Sequence, residues 1–436
     1  MSFSALERRI DEIKFGGTTQ IISLVVCGSL FAYHGAFRAL YLSMESVVSN
    51  RFIFWSILNA FFFCGTALSW IVSHFGRRPS ILVSLVLVGL CSNAASLSPN
   101  EWGMKLELFL SFFGLGLGIP PAVALVTEIS SFRLRGLAMS FLLLFSLLGE
   151  LCVLVFSNNH DLLTFQVGIQ FLGVPVLIAA LFAAIYLPES PFLLTEDCFT
   201  LNATLASLGP LSRRFTPSPM EYNFTSSKSS VNNTICALAS VVAGTELLLM
   251  HLPMQFQPQI SFKSFFISAL SLIVIPGGLL GIFEAKSLLI FSLVVMCGIS
   301  CAGIASPSDL GVSLVFSLLK AGTGLILVFA MSTGWCICEH PADRLKILAS
   351  AWGLGKLVSF AVPLPLTASG EETTFAALFG LLAVLVMALA ASDITKQQKG
   401  ENDDFSESLY HRGKFEKIPV LPINVSPPYT SPYGSI

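Results

Sequence analysis

Runs of about twenty apolar residues, each long enough to cross the hydrocarbon core of a bilayer as an α-helix, recur along this chain. They lie near residues 20–42, 53–73, 80–98, 106–127, 137–157 and 167–187, and after a polar interval near 234–252, 263–283, 287–305, 310–336, 346–366 and 373–391. The connections within each set of six are short, as antiparallel neighbours in a helical bundle require. With 54% hydrophobic and 11% charged residues, against roughly 25% charged in soluble proteins, the chain cannot solvate a water-facing surface all round. Lipid must cover most of it.

The same composition excludes other classes. The formal net charge is −2 and there is no basic tract, so nucleic acid is not an expected partner. Cys27, Cys64, Cys91, Cys152, Cys236, Cys297 and Cys301 are scattered through apolar runs as packing residues. Cys336 and Cys338 lack companion ligands at zinc spacing, so neither metal nor cofactor is expected. No nucleophile and base assemble into a catalytic constellation, and no G-x-x-x-x-G-K-[ST] loop is present. An enzyme or an ATP-driven pump is therefore not expected. The first apolar run is followed directly by more, with no small-residue cleavage site after it, and reads as a retained span.

Five segments follow: 1–19, an N-terminal segment; 20–191, a six-helix bundle; 192–233, a loop rich in Ser, Thr, Asn and Pro; 234–391, a second six-helix bundle; and 392–436, a charged then Pro-rich tail expected to be disordered. Orientation follows from Lys and Arg. With both termini in the cytosol, 18 of the 24 basic residues fall in cytosolic segments and only Arg51, Lys105 and Lys263 in outer loops. The sequons at Asn202, Asn223, Asn232 and Asn424 then face the cytosol, where no glycan is added.

An internal repeat supports two matched halves. Glu128, Arg133, Leu134, Arg135, Leu137 and Ala138 follow the fourth run, and Glu339, Arg344, Leu345, Lys346, Leu348 and Ala349 follow the tenth, in register at an offset of 211 residues. Equal position and equal orientation make this a parallel repeat. A carboxylate at a helix end with an arginine beyond it can pair locally or across the halves, a latch for rocking one against the other; basic residues there can equally serve only topology and helix capping.

Ionisable residues also lie inside the runs: Arg38 in the first, Glu150 in the fifth, Glu246 in the seventh, Lys320 in the tenth and Lys356 in the eleventh. Each buried Arg or Lys costs about 2.5–3.5 kcal/mol on insertion scales, so these side chains should face a wet cavity or one another. Either Arg38, Lys320 and Lys356 bind an anionic or zwitterionic solute with Glu150 and Glu246 balancing the empty site, or the two lysines pair with the two glutamates while Arg38 snorkels outward. His34 and His251 are candidates for proton coupling. Gly114, Gly116 and Gly118 permit close helix contact, and Pro120-Pro121 should kink the fourth helix.

His74-Phe75-Gly76-Arg77-Arg78 after the second run, the Gly-rich fourth run leading to Glu128, Arg133 and Gly136, and Leu187-Pro188-Glu189-Ser190-Pro191 after the sixth resemble the D-R-x-G-R-R, E-x-x-x-x-R-G and P-E-S-P-R elements of the major facilitator superfamily. The resemblance is to its sugar-porter, organic-ion and synaptic-vesicle-protein-related branch, over roughly residues 10–391. It implies an all-α fold of twelve transmembrane helices in two parallel six-helix repeats, with spans 1, 4, 7 and 10 lining a central cavity flanked by 2, 5, 8 and 11. All five intramembrane charges fall on those spans. It also implies a cytosolic gate of Gly76, Arg77, Arg78, Glu128, Arg133, Arg135, Glu189, Glu339 and Arg344. Departures are Ser73 for an acidic residue, Phe192 for the arginine of P-E-S-P-R, and Leu110 for an arginine in span four. The expected function is transport of a small organic solute, ion or sugar-like, by alternating access, facilitative or coupled to an ion. The protein would sit in the plasma membrane or an intracellular vesicle membrane, with no second copy required. A carrier-like scaffold, receptor or vesicle protein that no longer transports is the alternative.

Overall fold

The computed structural model describes residues 17–43, 51–72, 75–131, 134–159, 165–194, 198–208 and 341–361, with residues 6, 9, 10, 13, 235, 238, 239, 242 and 243. Eight helices lie within the described residues: α1 (Thr18–Ser43), α2 (Arg51–Val72), α3 (Arg77–Leu97), α4 (Glu101–Glu128), α5 (Arg135–Asn159), α6 (Phe165–Tyr186), α7 (Cys198–Leu208) and α8 (Pro341–Ala361). Helices α1–α6 are each apolar and long enough to span a membrane, and they overlie the first six apolar runs. Helix α8 overlies the eleventh run, and residues 235, 238, 239, 242 and 243, helical and largely buried, fall in the seventh. The runs at 263–283, 287–305, 310–336 and 373–391 lie outside the described residues.

Helix starts differ from the apolar runs where polar groups extend them. Helix α4 begins at Glu101 because the Asn100 side chain accepts a hydrogen bond from the Gly103 N–H, satisfying one of the donors a helix N-terminus leaves orphaned. Helix α3 begins at Arg77, where the Glu189 carboxylate takes the same role from outside the helix.

Helix α4 is the centre of this half, with 83% of its apolar window buried; it packs against α2, α3, α5, α1 and α8. Helix α6 lies at the edge, 39% buried, and turns Ile178, Leu181, Phe182 and Ile185 outward, the lipid face of a membrane bundle. The glycines of α4 set the contact distance. A Cβ at Gly116 would run into the Phe62 carbonyl of α2, and one at Gly118 into Ser84 of α3. Ser84 Oγ donates to the Gly114 carbonyl at 2.6 Å, so small residues and hydroxyls together join these helices, as in membrane packing generally. Helix α4 continues without a break through Pro120 and Pro121 to Glu128.

The 192–233 interval is not uniformly polar loop. Helix α7 buries Leu201, Leu205 and Leu208, while Asn202, Ala203 and Ser207 are exposed, the one-sided spacing of an amphipathic helix. Leu6, Ile10 and Ile13 of the N-terminal segment belong to the same buried cluster, and Arg9 Nη1 donates to Asn202 Oδ1 at 3.3 Å.

Candidate functional site

At the basic end of the bundle, Gly76 turns the chain from α2 into α3 with φ +125°, a conformation open to glycine and strained for other residues. A Cβ there would also strike the Glu189 carboxylate. Glu189 sits against the start of α3, accepting from Arg77 N at 2.7 Å and from Arg78 N at 3.2 Å. An anion at a helix N-terminus meets unsatisfied N–H groups and the positive end of the helix dipole. Arg78 Nη2 donates to the Ala184 carbonyl near the end of α6 at 2.6 Å. Arg77, 1% exposed, sends Nη2 to Glu128 Oε1 at 3.3 Å, and Arg135 Nε donates to the Thr127 carbonyl at 3.1 Å. Gly76, Arg77, Arg78, Glu128, Arg135 and Glu189 therefore assemble into one network that joins α3, α4, α5 and α6. Glu128 is paired with Arg77 here; its sequence neighbour Arg133 and the repeat's Glu339 lie outside the described residues.

The repeat's second arginine makes a different contact. Arg344, at the start of α8 and 3% exposed, lies over the Phe192 ring with its guanidinium carbon 5.1 Å from the centroid. Two residues on, Lys346 Nζ lies 5.6 Å over the Trp70 ring of α2.

Deeper in the bundle, Arg38 of α1 is ion-paired with Glu150 of α5, both buried. Of the two arrangements the sequence left open, this pairing departs from the one in which Arg38 snorkels outward and Glu150 pairs with a lysine. Arginine reaches a carboxylate on the adjacent helix, and pairing removes the need to reach water. Lys356 of α8 is 0% exposed. Its Nζ lies 3.5 Å from His34 Nε2 of α1 and 4.7 Å over the Phe62 ring of α2. The His34 ring is also within ring-contact range of Phe62 and Phe112. Arg38 and Glu150 thus join α1 to α5, and one turn back along α1 His34 meets Lys356 of α8 beside Phe62 of α2. Lys320, Glu246 and His251 fall outside the described residues.

Two polar features carry no signal in the sequence. Tyr33 of α1, Ser92 of α3 and Ser111 of α4 form a buried hydroxyl triangle, with Ser92 Oγ to Tyr33 Oη at 2.6 Å, Tyr33 Oη to Ser111 Oγ at 3.1 Å and Ser92 Oγ to Ser111 Oγ at 2.9 Å. Isolated hydroxyl residues in an apolar run do not reveal whether they meet. Asn59 of α2 is 0% exposed with neither side-chain atom hydrogen-bonded.

The family profile of the Major Facilitator Superfamily matches residues 45–363. The chain belongs to this superfamily. Among solved structures, it is similar to the human organic anion transporter MFSD10 (TM-score 0.62, 17% identity, 89% of this chain and 99% of that one). It is also similar to the proton:xylose symporter XylE (TM-score 0.64, 17% identity, 90% of this chain and 96% of that one). At that identity these relatives speak for the fold alone, and the fold is that of the superfamily: all-α, in two six-helix repeats. A stretch of 104 residues is 36% identical to human solute carrier family 22 member 12, covering 23% of this chain and 18% of that protein. The matched stretch is thus less than a fifth of the relative's length. The protein is a multi-pass membrane member of a transporter family, which points away from an enzyme.

Proposed function

We propose that this superfamily member carries a small organic solute, ion or sugar-like, across its membrane by alternating access, facilitatively or coupled to an ion. The observation that carries this reading is a pair of buried contacts one turn apart on α1, Arg38 with Glu150 of α5 and His34 with Lys356 of α8. Charges that deep are expensive to hold in a bilayer, and the His34–Lys356 contact joins a helix of the first bundle to α8. Lys356, with Lys320 from the tenth span, would supply positive charge to a solute. Arg38 and Glu150 would share their charge while the site is empty, and Glu246 would balance the lysines. His34 and His251 would exchange protons with the site if transport is proton-linked. The superfamily neighbours described as an organic anion transporter and a proton:xylose symporter are consistent with either an anion or a sugar.

The network of Gly76, Arg77, Arg78, Glu128, Arg135 and Glu189, with Arg133, Glu339 and Arg344, would form the cytosolic gate, and both termini would lie in the cytosol by the distribution of Lys and Arg. The domains are then the two six-helix bundles at 20–191 and 234–391. Uptake into proteoliposomes tests the proposal, with radiolabelled organic anions, organic cations and monosaccharides offered to wild-type protein and to Lys356→Ala and Lys320→Ala. At least one solute should accumulate in the wild type, and the lysine variants should lose most of that flux while keeping normal amounts of folded protein. Flux that survives in both variants removes the site. No flux of any solute leaves the non-transporting carrier-like scaffold as the reading.

A further inference from the structure

Helix α8 presents three cations to the first bundle, and each lies over an aromatic ring. Arg344 lies over Phe192 at 5.1 Å, Lys346 over Trp70 at 5.6 Å and Lys356 over Phe62 at 4.7 Å. The first two are at the basic end of the bundle; the third is ten residues further along, about 15 Å by helical rise. Helix α8 packs directly on α2, so these are contacts between the two repeats. Among the described residues, Glu128 pairs with Arg77 through one oxygen and Glu189 sits on the start of α3. Both of those bonds lie within the first bundle and would survive its separation from the second.

From this arrangement we infer that a cation–π latch, Arg344 on Phe192 and Lys346 on Trp70, holds the two bundles together at the basic end and sets how often that end opens. The inference rests on the alternating-access reading and names the contacts that gate it. The sequence departure at Phe192 then has a function. An arginine at that place, as in the P-E-S-P-R element, would set like charge against Arg344, whereas a phenyl face attracts it. The pairs differ in weight. Phe192 and Arg344 are 2% and 3% exposed, whereas Trp70 is 46% exposed; desolvated cation–π contacts shift an equilibrium by about thirtyfold and exposed ones by about threefold. The buried pair is the main catch and the exposed pair an auxiliary one.

Opening is read by cysteine accessibility in permeabilised membranes, with alkylation by N-ethylmaleimide followed peptide by peptide in a mass spectrometer so that native cysteines need not be removed. A cysteine at Thr66, 1% exposed and packed against Gly353 of α8, reports the basic end. A cysteine at Asn59, 0% exposed and two turns further from that end on α2, reports the other. The Phe192→Leu/Trp70→Leu pair should raise alkylation at position 66 by roughly tenfold or more and lower it at position 59. Phe192→Tyr/Trp70→Phe, which keep the rings, and Phe182→Leu, which removes a ring from the lipid face, should leave both rates at the wild-type level. Phe192→Arg should open the end furthest. The latch is refuted if the double leucine variant labels at the wild-type rate, or if the ring-keeping variants label as fast as the leucine ones. A rise at position 66 with no fall at position 59 would uphold the latch and remove alternating access. If the double variant is not monodisperse by size-exclusion, Phe192→Leu alone is compared with Phe192→Tyr by the same criteria.

Discussion

Removing one partner of the Arg38–Glu150 pair should damage this protein far more than removing both. The two side chains are 6% and 3% exposed and join α1 to α5, a pair of helices in extensive contact. Glu150→Ala leaves an arginine in a buried position without its carboxylate, a change that costs about 3–5 kcal/mol in buried pairs. Replacing both by apolar residues of similar volume, Arg38→Met with Glu150→Leu, removes the desolvation cost along with the attraction; such exchanges are neutral or stabilise by about 1–4 kcal/mol. At about 1.4 kcal/mol per tenfold, the single variant should lose roughly a hundredfold or more in its folded-to-unfolded ratio. Size-exclusion chromatography of heated, detergent-solubilised protein gives the readout. At about 1 °C per kcal/mol for a chain of 436 residues, Glu150→Ala should melt at least about 3 °C below wild type, and Glu150→Gln, which keeps a carbonyl acceptor, should fall between. The double variant should melt at or above wild type. If it is no more stable than Glu150→Ala, the pair is not the reason these charges are tolerated.

Gly76→Ala should destabilise the start of α3, since it combines left-handed strain of about 1–3 kcal/mol with displacement of the Glu189 carboxylate; a lowered melting temperature would bear this out. Tyr33→Phe leaves Ser92 and Ser111 bonded to each other and to backbone, so its loss should be only about 1 kcal/mol, whereas Ser111→Val removes an apex and should cost more on the same assay. Peptide N-glycosidase treatment of protein from eukaryotic cells should leave its mobility unchanged, because Asn202 and the other sequons are assigned to the cytosol. A mobility shift would overturn that orientation.

The spans were legible because burial in lipid demands some twenty apolar residues in succession, a condition written locally. The first six runs and α1–α6 coincide to within a few residues, and where they differ a cap made the difference: Asn100 is adjacent in sequence, but Glu189 comes from a segment more than a hundred residues away. The close approach of Gly116 and Gly118 to α2 and α3 was also foreseeable, since the residue type itself removes the obstacle. Partner choice was not. Arg38 and Glu150 were both recognised as intramembrane charges, yet which acid met which base depends on helix rotation and neighbour order, neither of which is local. The rings beneath Arg344, Lys346 and Lys356 were hidden for a related reason. Phe62 at 0% exposed and Phe182 at 51% look alike inside an apolar run, and only the packed bundle separates a ring facing a cation from one facing acyl chains.

The N-terminal segment leaves the ribosome first, but Asn202, which receives Arg9, is synthesised only after the six spans between them. The Arg9–Asn202 bond therefore cannot form until α7 emerges. That bond becomes a timestamp for biogenesis: protection of the chain around Arg9 from protease should be complete only once the first bundle and α7 are finished.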